Sequence, residues 1–596
     1  MGEHRHRFGL RRQPTVVVGA RATKAAGIAL ALILAATAAS LSAETETGER
    51  AAFRDRSLEA GLRFRHFNGM VGAFYFPEMT GPGGGLFDFD GDGDLDVFFR
   101  QGRLLVSGET LDQALFPIED PLGDRLFRND LSQVAPDGIA MSFVDVSAAA
   151  GFHDTGYGMG LAAGDYDGDG DLDLYLTNYG ANQFWRNRGD GSFENITAAT
   201  GTGDSRWSTS ATFIDIDQDG DLDLFAANYV RFDVEKNPRC FASTSAPDYC
   251  GPSAFTSETD RLWRNRGDGT FEDISVKSGI ARARGAGLGV ISGDFNGDGR
   301  LDLYVANDGE ANHLWLNRGD GTFSDDALFS GTALNRHGSP EASMGLAAAD
   351  FDGDGDEDLF LTHLAEESNT FYRNLGDGLF EDRSRETLLA APSMPYTSFG
   401  VAAIDFDNDG WPDLAIANGA VRIRLDLAVK GDRYPLEQPN QLFRNRGNGS
   451  FEEVTSSAGA AFALSEVSRG LATGDLDHDG AVDLIIFNNN GPARLLANQA
   501  ASGKRWLGVA GTQAGDRVRV LTESARTLRR TARTDGSYCS VSDVRVVVGL
   551  GDETARELEI ERHGQRVLFL DPPADVYLVL AGFRARVSKA SLPIQP

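Results

Sequence analysis

A nine-residue acidic pattern, DxDxDGxxD, recurs seven times along the chain: DFDGDGDLD from Asp88, DYDGDGDLD from Asp165, DIDQDGDLD from Asp215, DFNGDGRLD from Asp294, DFDGDGDED from Asp350, DFDNDGWPD from Asp405 and DLDHDGAVD from Asp475. Side-chain oxygens at positions 1, 3 and 5 of a tight loop converge on one point, position 7 offers a backbone carbonyl, and position 9 closes the shell. Hard oxygen donors in a flexible cage suit calcium. The glycine at position 6 permits the sharp turn, and without a cation the clustered carboxylates would repel one another. The expected ligands of up to seven Ca2+ ions are Asp88, Asp90, Asp92 and Asp96; Asp165, Asp167, Asp169 and Asp173; Asp215, Asp217, Asp219 and Asp223; Asp294, Asn296, Asp298 and Asp302; Asp350, Asp352, Asp354 and Asp358; Asp405, Asp407, Asp409 and Asp413; and Asp475, Asp477, Asp479 and Asp483. Asn296 is the single replacement among the acids, and an amide oxygen still coordinates. The last acid stands at position 9 and not at position 12, and strand-like sequence flanks each loop, which separates the pattern from an EF-hand.

The loops begin 50 to 79 residues apart, the period of propellers and solenoids. Each lies between two short apolar runs, such as GMGLAAGD and LDLYLTN, that read as strands. In the compact units an aromatic strand, a GDG or GNG turn and a Phe-led strand follow, as in FWRNRGDGSFENIT from Phe184 and LFRNRGNGSFEEVT from Leu442. One unit is thus four antiparallel strands with the acidic loop joining the first two, the make-up of a propeller blade. Phe-led fourth strands begin at Phe53, Phe143, Phe193, Phe271, Phe323, Phe380 and Phe451, each ahead of the loop of the same rank. The seventh unit ends without one. The segment at Phe53 is therefore expected to complete it, sealing the ring and removing exposed sheet edges.

These units resemble the FG-GAP and VCBS repeats of integrin-α-like propellers, and residues 50–590 resemble the ASPIC/UnbV group that includes cartilage acidic protein-like chains. The resemblance implies an all-β fold, a seven-bladed propeller over residues 50–500 with structural calcium on one face. From about Ala501 the repeats cease, and strands such as RWLGVAG, DRVRVLTE and ELEIERHGQRVLFL alternate without an acidic loop. A small β-sandwich-like domain over residues 501–590 is expected. Its GDRVRV at Gly515, SYCSVSD at Ser537 and VVVGLGD ending at Asp552 resemble the ASPIC/UnbV module, with Asp516 and Val548 departing from the usual residues. That module has no agreed chemistry.

The net charge of −32 disfavours nucleic acid and anionic membrane as partners. Basic residues up to Lys24, the apolar AAGIALALILAATAASLSA and an acidic turn at Glu44 read as an export signal over residues 1–43. Arg11 and Arg12 leave a twin-arginine route open, and an uncleaved anchor is the competing reading. No other apolar stretch is long enough to span a bilayer. The expected location is extracytoplasmic: periplasmic, cell-surface or secreted. In an oxidising compartment Cys240 and Cys250, within one insertion, are expected to pair, leaving Cys539 over.

Arg-Gly-Asp occurs at Arg188, Arg266 and Arg318, each time in the same hairpin turn, where other units carry NLGDG or NRGNG. Turn geometry accounts for the triplets without adhesion. No HExxH, GxSxG or phosphate-binding loop occurs, and His363 stands where other units have Asn178, Asn228, Asn307, Asn418 and Asn488. The long insertions, residues 101–124, 230–259 and 419–439, fall between second and third strands and so must emerge opposite the acidic loops. Trp207, His337 and Tyr396 are expected on that face as candidate ligand contacts. The expected function is a non-catalytic scaffold binding an extracellular protein or polysaccharide. The alternatives are a propeller enzyme, lyase-like or accessory to natural-product or oxidative chemistry, and a self-associating matrix protein.

Overall fold

The computed structural model describes residues 51–580, apart from 119–120, 136–137, 153–154 and 243; the expected export signal lies outside the described residues. No helix among them is long and apolar enough to cross a membrane. Seven antiparallel sheets, each with four strands from the repeats and one acidic loop, carry the architecture. Sheet 2 is typical: Tyr157–Gly164, Asp173–Tyr179, Gln183–Asn187 and Phe193–Asn195 pair in chain order, with the loop at Asp165 between the first two.

The first two strands of a sheet are buried along almost their whole length, because both of their faces pack against neighbouring sheets. Sheets 2 and 3, for example, share Tyr166, Tyr175, Phe184, Phe213, Trp263 and Phe271. The first strands neighbour one another in turn, from Gly84–Phe87 through Tyr157–Gly164, Ser208–Ile214, Gly287–Gly293, Leu346–Ala349 and Ser398–Ile404 to Ser468–Gly474, which lies against Gly84–Phe87 again. Close approach at this inner ring requires glycine: a Cβ on Gly345 would lie 2.0 Å from the Phe399 carbonyl oxygen. The last sheet takes its outer strand from the other end of the chain, Phe53–Asp55 pairing with Arg494–Asn498 with Phe53 opposite Asn498. The described chain therefore closes on itself with no free inner edge.

After the ring, Arg505–Ala510 lies between Val546–Gly551 and Tyr577–Val579, while Thr527–Thr531, Arg517–Thr522, Ala555–Arg562 and Gln565–Leu570 form a second sheet. Leu507, Val509, Val518, Val520, Val548 and Leu558 fill the space between them. Asp516, unusual for the resembled module, is buried against Arg562, whose Nε donates to it at 2.7 Å.

From this C-terminal domain, residues 535–542 thread into the axis of the ring. Ser540–Val541 extends sheet 1 as a parallel strand beside Gly84 and Gly85. The Gly536 N–H donates to the Val290 carbonyl at 3.2 Å, the Cys539 N–H to Ser210 Oγ at 3.1 Å and the Tyr538 hydroxyl to the Thr80 carbonyl at 2.9 Å. A Cβ on Gly83 would overlap the Cys539 carbonyl, at 1.7 Å. The other end of the axis is closed by the turn Phe76–Met79, by Tyr229 and by aromatic residues of the insertions, including Phe232, Tyr249 and Tyr434. The axis is filled from both ends.

Candidate metal loops and the surfaces around them

In the first loop Asp88 accepts the N–H of Gly91 at 2.8 Å and of Gly93 at 2.9 Å, and Asp92 accepts that of Asp94 at 2.9 Å. These bonds bend the chain so that its acids face inward. Carboxylate oxygens of positions 1, 3 and 9 come within 4.8 Å of one another in the loops of Asp88, Asp165, Asp215 and Asp405, and those of positions 1, 3 and 5 do so in the loop of Asp350. Burial pushes the position-9 carboxyls up, to about 8 at Asp173 and Asp223 and to about 9 at Asp358, with neighbouring acids adding to the effect. Carboxylates held this close and this dry favour a compensating charge. Asp215 Oδ1, Asp405 Oδ1, Asp407 Oδ1 and Asp477 Oδ1 are buried without any hydrogen-bond partner. Convergent hard oxygens with orphaned lone pairs fit a calcium ion, which would supply charge neutralisation and cross-linking and no reactive chemistry.

Position 9 also has a second task. Both oxygens of Asp96 are engaged by backbone, accepting from Phe89 N at 3.0 Å and Asn129 N at 2.9 Å. Asp173 does the same with Tyr166 N and Asn187 N. This carboxylate fastens the third strand to the loop whether or not it also closes a coordination shell.

A set of residues that the motif reading passed over links one loop to the next. The asparagine ending each third strand, the Asn of NRGDG, NLGDG or NRGNG in five units, donates through Nδ2 to the position-2 carbonyl of the preceding loop: Asn187 to Phe89 at 2.7 Å, Asn265 to Tyr166 at 2.8 Å, Asn317 to Ile216 at 2.8 Å, Asn374 to Phe295 at 3.1 Å, Asn445 to Phe351 at 2.8 Å and Asn498 to Phe406 at 2.9 Å. The repetition of Asn at that place was the available signal.

The C-terminal domain covers the loop face. Arg530 lies 3.2 Å from Asp405 and Arg529 3.5 Å from Asp350, the Tyr577 hydroxyl donates to Asp475 at 2.8 Å, and Arg545 donates to the Gly93 carbonyl at 3.2 Å. Two cavities remain beneath it. One of about 580 Å3 faces the loops of Asp350 and Asp405, and one of about 590 Å3 faces those of Asp88, Asp165 and Asp215.

On the opposite face Trp207 departs from expectation. It is 3% exposed, enclosed by Phe76, Tyr179, Tyr229 and Phe232. It holds the insertion of residues 230–259 to the ring and cannot touch a ligand, because a loop aromatic beside a closed axis gains more by packing than by exposure. His337 is exposed and Tyr396 half-buried, and neither belongs to that aromatic cluster. Cys240 and Cys250 form a disulfide, and the adjacent Tyr249 donates its hydroxyl to the buried Glu78 at 2.9 Å. Cys539 is buried in the axis, and burial pushes its thiol up to about 12. His363 is sealed from solvent, 3.1 Å from Ser343 Oγ, and burial pushes it down to about 4, so it is a neutral structural histidine. The three Arg-Gly-Asp triplets are tight hairpin turns, with Arg188 N, Arg266 N and Arg318 N donating to the carbonyls of Ser192, Thr270 and Thr322.

Five segments match the FG-GAP-like repeat: residues 165–226, 249–305, 294–361, 350–416 and 424–486. The chain is an FG-GAP-like repeat protein. It is similar to cartilage acidic protein 1 of Homo sapiens, 28% identical over 314 residues that make up 50% of this chain and 43% of that protein. The Xenopus tropicalis protein of the same name is 27% identical over 327 residues, 52% of this chain and 47% of that one. The matched region thus spans under half the length of these relatives. Among solved structures, a lectin from Burkholderia pseudomallei is 10% identical, covering 71% of this chain and 97% of its own, with a TM-score of 0.37.

Proposed function

We propose that this FG-GAP-like repeat protein is an exported, calcium-binding, non-catalytic scaffold that recognises an extracellular protein or polysaccharide through the face opposite its acidic loops. The observation that carries the reading is the placement of the C-terminal domain. It lies over the loops and sends Tyr538 into the axis, which leaves the insertion face as the broad surface available to a partner. That face rests on a rigid aromatic foundation and is tied by the disulfide at Cys240. Binding surfaces of this kind place variable loops on a fixed frame. The acidic loops, on the other side, serve stability: a cation that binds the folded state alone adds to the free energy of unfolding.

The test is capture of glycans and matrix proteins by the calcium-loaded chain, compared between a variant of the insertion face and one of the C-terminal domain. Phe241→Ser alters an exposed residue of the disulfide loop, and Leu568→Ser alters an exposed residue of the domain on the loop side. Loss of capture by the first alone supports the reading; loss by the second alone overturns it.

A further inference from the structure

We propose that the fourth acidic loop, residues 294–302, takes no divalent cation and is neutralised by two guanidinium groups, which makes it a metal-independent seat for the C-terminal domain. The inference rests on the calcium reading of the other loops. Two departures from the repeat coincide here. Position 3 is Asn296, so one carboxylate is missing, and position 7 is Arg300, where other loops carry Asp94, Asp171, Asp221, Asp356, Trp411 or Ala481. The Oδ1 of Asn296 accepts from Asp298 N at 3.0 Å, as Asp352 does from Asp354 N, but its Nδ2 adds a donor that no aspartate at position 3 offers, to Asp298 Oδ2 at 2.9 Å.

The guanidinium groups occupy the two remaining acids at the mouth of the loop. Arg300 pairs with Asp298 and is fixed from behind by donating through Nε to the Asn317 carbonyl at 3.0 Å. Arg517, from the C-terminal domain, pairs with Asp294, whose side chain is only 4% exposed. Three carboxylates, Asp294, Asp298 and Asp302, thus face two fixed cations, whereas residues 165–173 hold five carboxylates. A divalent ion entering the fourth loop would be repelled by both guanidiniums and would have to displace them from buried or half-buried oxygens. Arginines also reach the loops of Asp350 and Asp405, through Arg373 and Arg444 from the third strands and Arg529 and Arg530 from the C-terminal domain. Those loops keep all four acids of the motif, and in neither is an arginine part of the loop itself.

The position of the fourth loop fits the role. Leu301, Gly515 and Arg517 line both inter-domain cavities, so this contact is a strut standing between them. Arg517 therefore connects the domains at a point where calcium level has no say.

The experiment measures calcium retained per intact chain at fixed free calcium, by dialysis and atomic emission, for the wild type, Asp167→Asn and Asp298→Asn. Asp167→Asn is expected to lose one ion and Asp298→Asn none, with unchanged circular dichroism in both; Asp298→Ser replaces the second variant should it fail to fold. Loss of one ion by the Asp298 variant, matching that of Asp167→Asn, overturns the inference. A wild type that retains no calcium overturns the calcium reading itself, and this inference with it.

Discussion

Asn129 donates through Nδ2 to the carbonyl of Leu476 at 3.3 Å, across 347 residues of sequence. This is the seventh bond of the asparagine set, and it joins the first sheet to the loop of the last. The acidic loops are thereby linked in a closed circle of side-chain-to-backbone bonds, independent of the strand pairing between Phe53–Asp55 and Arg494–Asn498.

Breaking one link should cost a measurable amount. Asn317→Leu keeps the volume but strands the carbonyls of Ile216 and Leu301 and the N–H of Gly319, all of which Asn317 now serves. Buried groups left unpaired cost about 1 to 3 kcal/mol each, so a loss of at least about 2 kcal/mol is expected. Urea unfolding of Asn317→Leu and of the equivalent Asn187→Leu should show similar losses. A shift below about 0.5 kcal/mol would mean that the bonds follow from the fold and do not hold it.

Positions 3 and 9 of a loop should respond differently to chelation. Asp167 takes a backbone bond only from within its own loop, from Asp169, and holds no strand, so Asp167→Asn should lower the melting temperature in calcium and, by removing one of the repelling carboxylates, leave the melt in EDTA the same or slightly higher. Asp173 accepts from Tyr166 N at 3.2 Å and from Asn187 N at 2.8 Å. Asp173→Leu should therefore destabilise the protein in both conditions, by about 2 kcal/mol or more in EDTA. Calorimetry of the two variants with and without EDTA decides; equal behaviour would remove the second task assigned to position 9.

The repeat order was legible because strand period, turn residues and acid spacing all agreed, and Phe-led strands preceded loops of the same rank. The circle of asparagines was visible only as part of a hairpin motif, since its bonds join residues 79 to 101 apart in six cases and 347 apart in the seventh. The position of residues 535–542 was beyond reach: SYCSVSD has strand-like residues with no partner specified in sequence, and its partners are the Ser210 hydroxyl and backbone groups spread over five different sheets or their approaches. Trp207 misled for a related reason. A loop tryptophan reads as exposed until the residues that enclose it, among them Phe76 and Phe232, are known.

Glu78 makes the insertion face sensitive to pH. It is fully buried, and burial pushes its carboxyl up from 4.5 to about 8, against the opposing effect of the Tyr249 hydroxyl bond. The folded state thus favours the protonated acid. Its stabilising contribution is complete below pH 4.5 and is lost as pH rises towards about 8, because the unfolded chain releases the proton first. Glu78→Gln keeps a neutral group of the same shape and should flatten this dependence. Urea midpoints at pH 5.5 and pH 8.5, at constant free calcium, should fall further with pH in the wild type than in the variant, so that titration elsewhere cancels. Equal falls would place Glu78 in a wetter site than the structure gives it.

Tyr538 makes the two domains one unfolding unit. Its ring packs edge-on against Phe399 at 4.9 Å and its hydroxyl reaches the Thr80 carbonyl, so the C-terminal domain cannot leave the ring without emptying the axis. Tyr538→Phe gives up one hydrogen bond, about 1 kcal/mol, while Tyr538→Ala opens an axial cavity worth about 3 to 5 kcal/mol. The neighbouring Cys539 reports the opening directly, being buried with a thiol pushed up to about 12. Labelling by a thiol reagent should be slow in the native protein and about a hundredfold to a few thousandfold faster in Tyr538→Ala, since each 1.4 kcal/mol lost from the closed state raises the open population about tenfold. Tyr538→Phe should label only a few times faster than wild type. Native labelling at the rate of an exposed cysteine would show that residues 535–542 do not reside in the axis.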